Sequence, residues 1–439
     1  MKQPNRRQFI RQSTGAAALA AIAPSINVLG ANNRINVGVI GPGGMGSGHV
    51  NTLASEKDVR VAYVCDPDTQ RQDKAAASVE SRKGGKPRKV GDLRQVLDDK
   101  DIDAVFVATP DHWHAPATIL ACDAGKHVYV EKPASHNLRE GRLMIDAARR
   151  NKRVVQVGTQ SRSAPHAETA IERIKAGAIG EVLVAKAWNS QRRRDIGKHK
   201  PSKPPKNLDF DMWTGPAAWQ PYQKNLLHAT WRWWFNFGTG DMGNDGVHDI
   251  DIARWGLGVE THPTRIAALG GKYYFDDDQQ FPDTQTVAFE YAGASQSGRP
   301  KQLIFEQRIW SPYNQEGFDN GNAWYGTEGM IIFSKRGRGQ VYGPKNKLIE
   351  EFTGKIDLRA HHRNFFDCIR NDGRPAADIE IGHLSSSLCH LGNIATRTGR
   401  TLNFDPKTES IANDNEAGAM LTRVYRKAGH WAKPKGVFA

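Results

Sequence analysis

Beyond residue 33 the first third of the chain alternates short apolar runs with amphipathic stretches. INVGVI (35–40), VRVAYVC (59–65), DAVFVA (103–108), HVYV (127–130) and RVVQVG (153–158) have the length and near-continuous apolar character of strands buried on both faces. PATILACDAG (116–125) and LREGRLMIDAARR (138–150) carry helical periodicity between them. Strand and helix alternating at this spacing predict a parallel doubly wound sheet. After Gly158 the texture changes. EVLVAKAWN (181–189), TRIAALG (264–270), TQTVAFEY (284–291), KQLIFEQR (301–308) and EGMIIFSK (328–335) are strand-like, and few helices separate the later ones. That pattern predicts a second α/β domain with an open, mostly antiparallel sheet. Residues 361–400 predict two amphipathic helices around the turn Asn371-Asp372-Gly373.

Composition adds bounds to this picture. A chain of 439 residues is too long for one compact core, so two domains are expected, residues 32–155 and 156–439. Hydrophobic residues at 38% and charged residues at 25% suit a globular protein. At the N-terminus NRRQFIRQSTGAAALAAIAP (5–24) resembles a twin-arginine export leader, so residues 1–31 read as a signal peptide and the mature protein as periplasmic. The apolar part of that leader is short, and no other stretch approaches the roughly 18 apolar residues of a membrane span. The four cysteines form no CxxC pair and suggest neither a disulfide framework nor a zinc site. The net charge of +14 includes Lys2, Arg6, Arg7 and Arg11 of the leader. The basic run QRRRDIGKHKPSKPPK (191–206) reads as a solvated Pro-rich loop, and no nucleic-acid partner is expected because no nucleic-acid motif accompanies it.

Candidate chemistry gathers where the first-domain strands end. Gly41, Gly43 and Gly46 of Gly41-Pro42-Gly43-Gly44-Met45-Gly46 have GxGxxG spacing between a strand and a helix. There glycine permits the tight turn and the close approach of a pyrophosphate to the helix N-terminus. Asp66 ends the second strand, where a carboxylate holds ribose hydroxyls, so NAD is favoured; Arg71 nearby keeps NADP open. Thr109 and Pro110 end the fourth strand, and Glu131-Lys132-Pro133 ends the fifth. A lysine at that edge can stabilise or protonate a developing alkoxide when a cationic neighbour lowers its pKa. Asp111, His112 and His114 lack further ligands at recognisable spacing, so no metal is assigned. In the second domain Asn244, His248, Asp251 and Trp255 fall at i, i+4, i+7 and i+11, one face of a continuous helix, with His248 placed as proton acceptor. The segment 211–237 is dense in aromatic residues; Trp231 and Arg232 are candidates to hold a sugar, and the remainder divides between sugar stacking and core. His383 and His390 read as helix surface or core, with an approach to the site left open.

GxGGMG, TPxxxH and EKP in this order resemble the Gfo/Idh/MocA family, which includes glucose–fructose oxidoreductase and inositol dehydrogenase. The resemblance covers nearly the whole chain after residue 33. It implies an N-terminal Rossmann domain, a C-terminal α/β domain, a nicotinamide cofactor and a homodimer or homotetramer formed through the open sheet. It implies that Lys132 is catalytic, often beside a cis proline bond, and that Thr109, Pro110, His114 and Glu131 join Gly44, Met45 and the other loop residues around the cofactor. The family's Asp-x-Gly-x-His-x-x-Asp matches His248 and Asp251. Its first Asp falls on Asn244, with Asp245 one residue later, so either Asn244 or Asp245 orients His248.

An exported protein cannot draw fresh NAD from the cytoplasm, so the cofactor must be retained and returned to its starting state in each cycle. Oxidation of one sugar coupled to reduction of a second acceptor meets that condition. So does a redox-neutral cleavage or epimerisation through a transient keto-sugar. A non-catalytic sugar-binding protein is the remaining alternative.

Overall fold

A computed structural model describes residues 34–437; the leader expected at residues 1–31 lies outside them. The first sheet has six parallel strands, β1 (Ile35–Ile40), β2 (Val59–Cys65), β3 (Arg88–Val90), β4 (Ala104–Val107), β5 (His127–Val130) and β6 (Val155–Val157), in the order β3-β2-β1-β4-β5-β6. This is the doubly wound arrangement that the apolar runs predict. Ile40 is level with Cys65 and with Val107, and Val107 with Val130. The four strands therefore end together, and the turns after them share one edge.

The helix Asp111–Asp123 starts five residues before the helical stretch read from the sequence, because Pro116 lies inside it rather than at its start. Proline lacks the N–H that would bond the carbonyl four residues back. The Nη2 of Arg423 donates to the His112 carbonyl instead, at 2.8 Å. The helix Leu138–Arg150 matches its predicted span, capped by Asn137, whose Oδ1 accepts the Glu140 N–H at 3.0 Å.

The second sheet has ten strands: β7 (Val182–Ser190), β8 (Arg265–Gly271), β9 (Thr284–Tyr291), β10 (Lys301–Arg308), β11 (Asn320–Gly326), β12 (Met330–Ser334), β13 (Arg338–Gly343), β14 (Lys347–Thr353), β15 (Leu402–Asp405) and β16 (Ser410–Ile411). Their order is β14-β13-β12-β11-β7-β10-β9-β8-β15-β16, antiparallel throughout except for the parallel pair β7–β10. Its core packs Val287, Phe289, Leu303 and Phe305 against the helix Val247–Leu257 and the long helix Ile379–Thr398. The chain then returns to the first sheet. Phe365 and Phe366, on the helix Leu358–Arg370, pack with Phe106 and Tyr129, and Ile379 joins the core on the other side of that sheet. Gly382 lets the long helix approach β6 closely, since a Cβ there would lie 2.3 Å from Val157 Cγ2. Burial of these apolar faces is the main force joining the two sheets, at roughly 25 cal/mol per Å².

Candidate active site

The common strand edge opens into a cavity. Gly41, Gly43, Gly44 and Met45 line one wall; Asp66, Arg71, Thr109, Pro110, His114, Glu131 and Lys132 continue it. Gly41 has φ +80°, and a Cβ on it would lie 2.7 Å from the Ala108 carbonyl oxygen. Gly46 stands behind the loop rather than in the cavity wall: a Cβ there would lie 2.0 Å from the Gly41 oxygen, so only glycine lets the helix Met45–Leu53 pack this close. At Gly44 a Cβ would meet nothing within 4 Å, leaving room for a ligand over the helix N-terminus.

Asp66 is buried at the end of β2, and burial pushes its carboxyl up to about 6, with Arg71 acting in the opposite direction. The Thr109 hydroxyl is buried and has no partner among the described residues. A glycine cradle, an acid at the ribose position and an orphaned hydroxyl at the end of β4 together fit a dinucleotide.

The Lys132–Pro133 peptide is cis. Lys132 Nζ donates to the Asn244 backbone carbonyl at 2.6 Å, which ties the end of β5 to the second domain. His114 bridges two of the signature turns, contacting the Pro133 carbonyl at 2.7 Å and the Thr109 carbonyl at 2.9 Å. Glu131 sits beneath Lys132. Burial raises its carboxyl, but His49 at 3.0 Å and the nearby Lys132 and His248 outweigh that and hold it at about 2. His49 also meets His362 at 2.9 Å, and Gln160 donates to Glu131 at 3.0 Å. His49, Gln160 and His362 carried no sequence signal, because they reach the site from separate helices.

The expected continuous helix through Asn244 and His248 is corrected by the structure. Met242–Gly246 forms a π-helical turn, and the α-helix begins at Val247. The wider turn shifts Asn244 off the period, while His248, Asp251 and Trp255 keep i, i+3 and i+7 spacing within the α-helix. Asn244 lines the cavity, but its amide donates to Asp241 Oδ1 at 3.2 Å rather than to His248. Asp251 points away from the cavity. It receives Arg162 in a bidentate pair at 2.8 and 2.9 Å and the Ser385 hydroxyl at 2.6 Å, fully buried. This corrects the expected substrate contact at Asp251: its carboxylate is committed to Arg162.

His248 stands partly exposed, outside the set of cavity-wall residues. Burial of the ring first, then the charges of Lys335 and Lys132, hold it at about 3, against Asp245 and Glu131. Lys335, just after β12, pairs with Asp249 at 2.7 Å and Asp245 at 3.3 Å. Burial and the neighbouring Asp245 push Asp249 up to about 7 despite Lys335. Burial raises the Asp245 carboxyl, but the charges of Lys335, His248 and Arg193 outweigh it and keep it well below the usual range.

The basic run 191–206 is corrected in its first part. Gln191 bonds Asp245, and Arg193 bonds the buried Asp241 at 2.7 Å, so these residues belong to the site rather than to a solvated loop. Lys198 pairs with the exposed Asp276, as a surface residue would.

The aromatic segment divides. Trp233, Trp234 and Phe237 are buried away from the cavity, whereas Trp213, Trp231 and Arg232 line it. The Arg232 guanidinium lies 5.6 Å from the Trp231 ring centroid and 5.7 Å from that of Trp233, and its Nε has no partner among the described residues. This segment, with residues 207–210 before it, straps across the cavity. Thr69 N–H donates to the Asn207 carbonyl and Asp209 N–H to the Pro67 carbonyl, both at 3.0 Å. Asn207 Nδ2 reaches Asp68 at 2.7 Å, and His228 Nε2 lies 3.0 Å from the same carboxylate. Met212, Trp213 and His228 thus face Gly43, Asp66 and Arg71 across the cavity.

The metal candidates Asp111, His112 and His114 serve different protein groups: Asp111 accepts from Thr239 at 2.7 Å, and His112 contacts the Trp213 carbonyl at 2.9 Å. His383 meets Glu409 at 2.9 Å, and His390 lies 3.4 Å from Ser135; neither lines this cavity.

Residues 35–159 match the model described as the oxidoreductase family, NAD-binding Rossmann fold, and residues 187–294 and 326–432 match its C-terminal alpha/beta domain. The levoglucosan dehydrogenase of Pseudarthrobacter phenanthrenivorans is 31% identical over 51% of this chain and 52% of its own. An alpha-N-acetylgalactosaminidase of Shewanella oneidensis is 29% identical over 40% of this chain and 38% of its own. The alignments thus span about half or less of these two relatives. Inositol 2-dehydrogenase 2 of Saccharopolyspora erythraea is 32% identical over 77% of this chain and 83% of its own. A solved levoglucosan dehydrogenase in complex with NADH and levoglucosan shares the fold, with a TM-score of 0.65 at 20% identity over 84% of this chain and 98% of that one. With both of its domain models matched along most of its length, the chain belongs to the Gfo/Idh/MocA oxidoreductase family and carries its NAD-binding Rossmann domain.

Proposed function

We propose that the protein is a periplasmic, homo-oligomeric NAD-dependent oxidoreductase acting at a CH–OH group of a sugar or sugar derivative, with the cofactor held between turnovers. The observation that carries the reading is the meeting, at one cavity, of the Gly41–Gly46 cradle, buried Asp66 and the Lys132 ammonium. Similarity to levoglucosan and inositol dehydrogenases supports a sugar or polyol substrate.

The cradle and Asp66 would hold NAD, which supplies the hydride acceptor when bound. Lys132, fixed by the Asn244 carbonyl, donates a hydrogen bond to the substrate oxygen as it gains negative charge. His248, kept neutral, takes the hydroxyl proton. Asp245 acts on His248 by charge, and Arg232 and Trp231 offer a donor and a flat ring to the sugar. The sign of the Lys335 effect is testable. A nearby cation lowers a histidine's pKa, so Lys335→Met should raise that of His248. In the oxidative direction the wild-type pH profile of kcat/KM should stay level through about 6.5, the ordinary histidine value. The variant should lose activity at a higher pH on the acid side, and an unmoved acid limb would remove the coupling.

Retention is supported by the strap from Asn207 to Arg232 across the cavity, pinned to the turn after β2. Purified from the periplasmic fraction without added cofactor and then denatured, the protein should release near-stoichiometric nicotinamide. His228→Ala together with Asn207→Ala should speed release of bound NAD about tenfold, the effect of losing roughly one charge-assisted hydrogen bond. An empty site would remove retention, and absence from that fraction would remove export.

A second reading is redox-neutral glycoside cleavage through a transient keto-sugar, in which oxidation acidifies the neighbouring C–H and permits elimination of the glycosidic oxygen. The similarity to an alpha-N-acetylgalactosaminidase favours keeping it.

A further inference from the structure

Arg232, on the short 3-10 turn Thr230–Trp233, lines the same cavity as Lys132. We infer that its guanidinium receives a carboxylate, so that, given the sugar oxidoreductase proposed above, the favoured substrate is a sugar acid.

The guanidinium sits at the Lys132 end of the cavity. The acids whose charges act on it are Asp241, Asp111 and Asp245, whereas the cation acting on Asp66 at the ribose end is Arg71. Asn244 joins Asp241 to Lys132: its amide donates to Asp241 at 3.2 Å and its carbonyl accepts from Lys132 at 2.6 Å. Gly238 lets the chain fold tightly against this turn, since a Cβ there would lie 2.4 Å from the Arg232 Cα.

None of the three acids pairs with Arg232, because each serves another group. Asp241 takes Arg193 at 2.7 Å and the Trp233 indole at 2.8 Å; Asp111 takes the Thr239 hydroxyl at 2.7 Å; Asp245 takes Gln191 and Lys335. Burial also pushes the Asp111 carboxyl up, which weakens it as a counter-ion. The half-buried Arg232 makes no hydrogen bond to any described residue. Its Nε is enclosed, but Nη1 and Nη2 are not among the enclosed atoms and stay open at the cavity wall. Trp231 and Trp233 lie against the charge, with ring centroids at 5.6 and 5.7 Å, and supply no acceptor. A carboxylate completes such a planar fork with two N–H···O bonds and compensates its charge. The hydroxyls of a neutral sugar would meet the donors but leave the charge uncompensated once the ligand shuts water out.

The test is calorimetric titration of NAD-saturated protein with glucuronate against glucose and galacturonate against galactose, following reduced nicotinamide by its absorbance in the same mixtures. At least one uronate should bind about tenfold tighter than its neutral partner, the effect of a charge-assisted hydrogen bond. Neutral sugars should turn over with lower kcat/KM. Arg232→Met should bring the binding ratio close to one, and Arg232→Lys, which keeps the charge without the fork, should restore only part of it. Equal binding of acid and neutral sugar by the wild type overturns the inference, as does failure of both uronates to bind. So does a preference that survives in Arg232→Met; if that variant instead binds NAD poorly, the guanidinium belongs to the cofactor. A preferred uronate that leaves bound NAD oxidised upholds the carboxylate site and removes the hydride reading. Oxidation of a neutral sugar with no preference for the acid does the reverse.

Discussion

Lys132→Met should lower turnover on a cognate sugar by about 10²–10⁴-fold, the range for loss of a positioned proton donor or acceptor, while leaving bound NAD unchanged. The side chain sits at the end of β5, in the wall of the dinucleotide cavity, with its ammonium 2.6 Å from the Asn244 carbonyl. Methionine keeps the length and apolar body of lysine and removes the charge and the donors. The structural loss is one hydrogen bond to a backbone carbonyl, worth about 1 kcal/mol, so the variant should fold. Steady-state kinetics beside nicotinamide content separate the two effects. Full turnover in the variant would remove Lys132 from the chemistry; loss of both turnover and cofactor would make it a binding residue.

Asp251→Ala should destabilise the protein by about 3–5 kcal/mol, because it strands the Arg162 guanidinium in the interior without its carboxylate. Burial pushes the Asp251 carboxyl up; the charge and two hydrogen bonds of Arg162, with Arg254 and the Ser385 hydroxyl, outweigh this and hold it below its ordinary value. The pair joins the helix Val247–Leu257 to the short 3-10 turn Gln160–Ser163. Urea unfolding should therefore show a lower midpoint, and the folded fraction should keep its KM for sugar. An unchanged midpoint with a raised KM would return Asp251 to the substrate.

Those two residues mark what the sequence could and could not disclose. The motif around Lys132 follows a continuous apolar strand, and a strand end in a doubly wound sheet has a known address. Helical periodicity places Asp251 near His248 but carries no sign that Arg162, from a distant turn, takes its carboxylate, and the π-turn Met242–Gly246 shifts Asn244 with no residue pattern to announce it. The apolar runs of β1, β2, β4, β5 and β6 were legible for the same reason as Lys132: buried parallel strands leave little choice of residue. The edge strand β3 of the first sheet, Arg-Lys-Val, is too short and too polar to register, and the hairpin β13–β14 alternates weakly at one margin of the second sheet. Lys335 and Arg193 illustrate a different gap. Each reaches Asp245 or Asp241 only because the second sheet folds its strand end against the π-turn, a contact that spans tens of residues and has no local signal. The part of the strap at 211–237 is visible as an aromatic-rich stretch, but Asn207 before it carries no signal, and the attachment of Asn207 and His228 to Asp68 depends on that same long-range folding.

Bound nicotinamide should exchange hydride with a sugar at this site. The most direct measurement mixes NAD-loaded protein rapidly with levoglucosan, myo-inositol and an N-acetylgalactosaminide, following reduced nicotinamide by its absorbance and released reducing sugar in parallel. Reduction of the protein-bound cofactor by one of these sugars, abolished in Lys132→Met, is the predicted result. Reduced nicotinamide that rises and decays as free sugar appears would select the redox-neutral route over net oxidation. A protein that binds a sugar while its NAD stays oxidised, with no sugar released, would contradict the account and leave a binding protein built on an enzyme's fold.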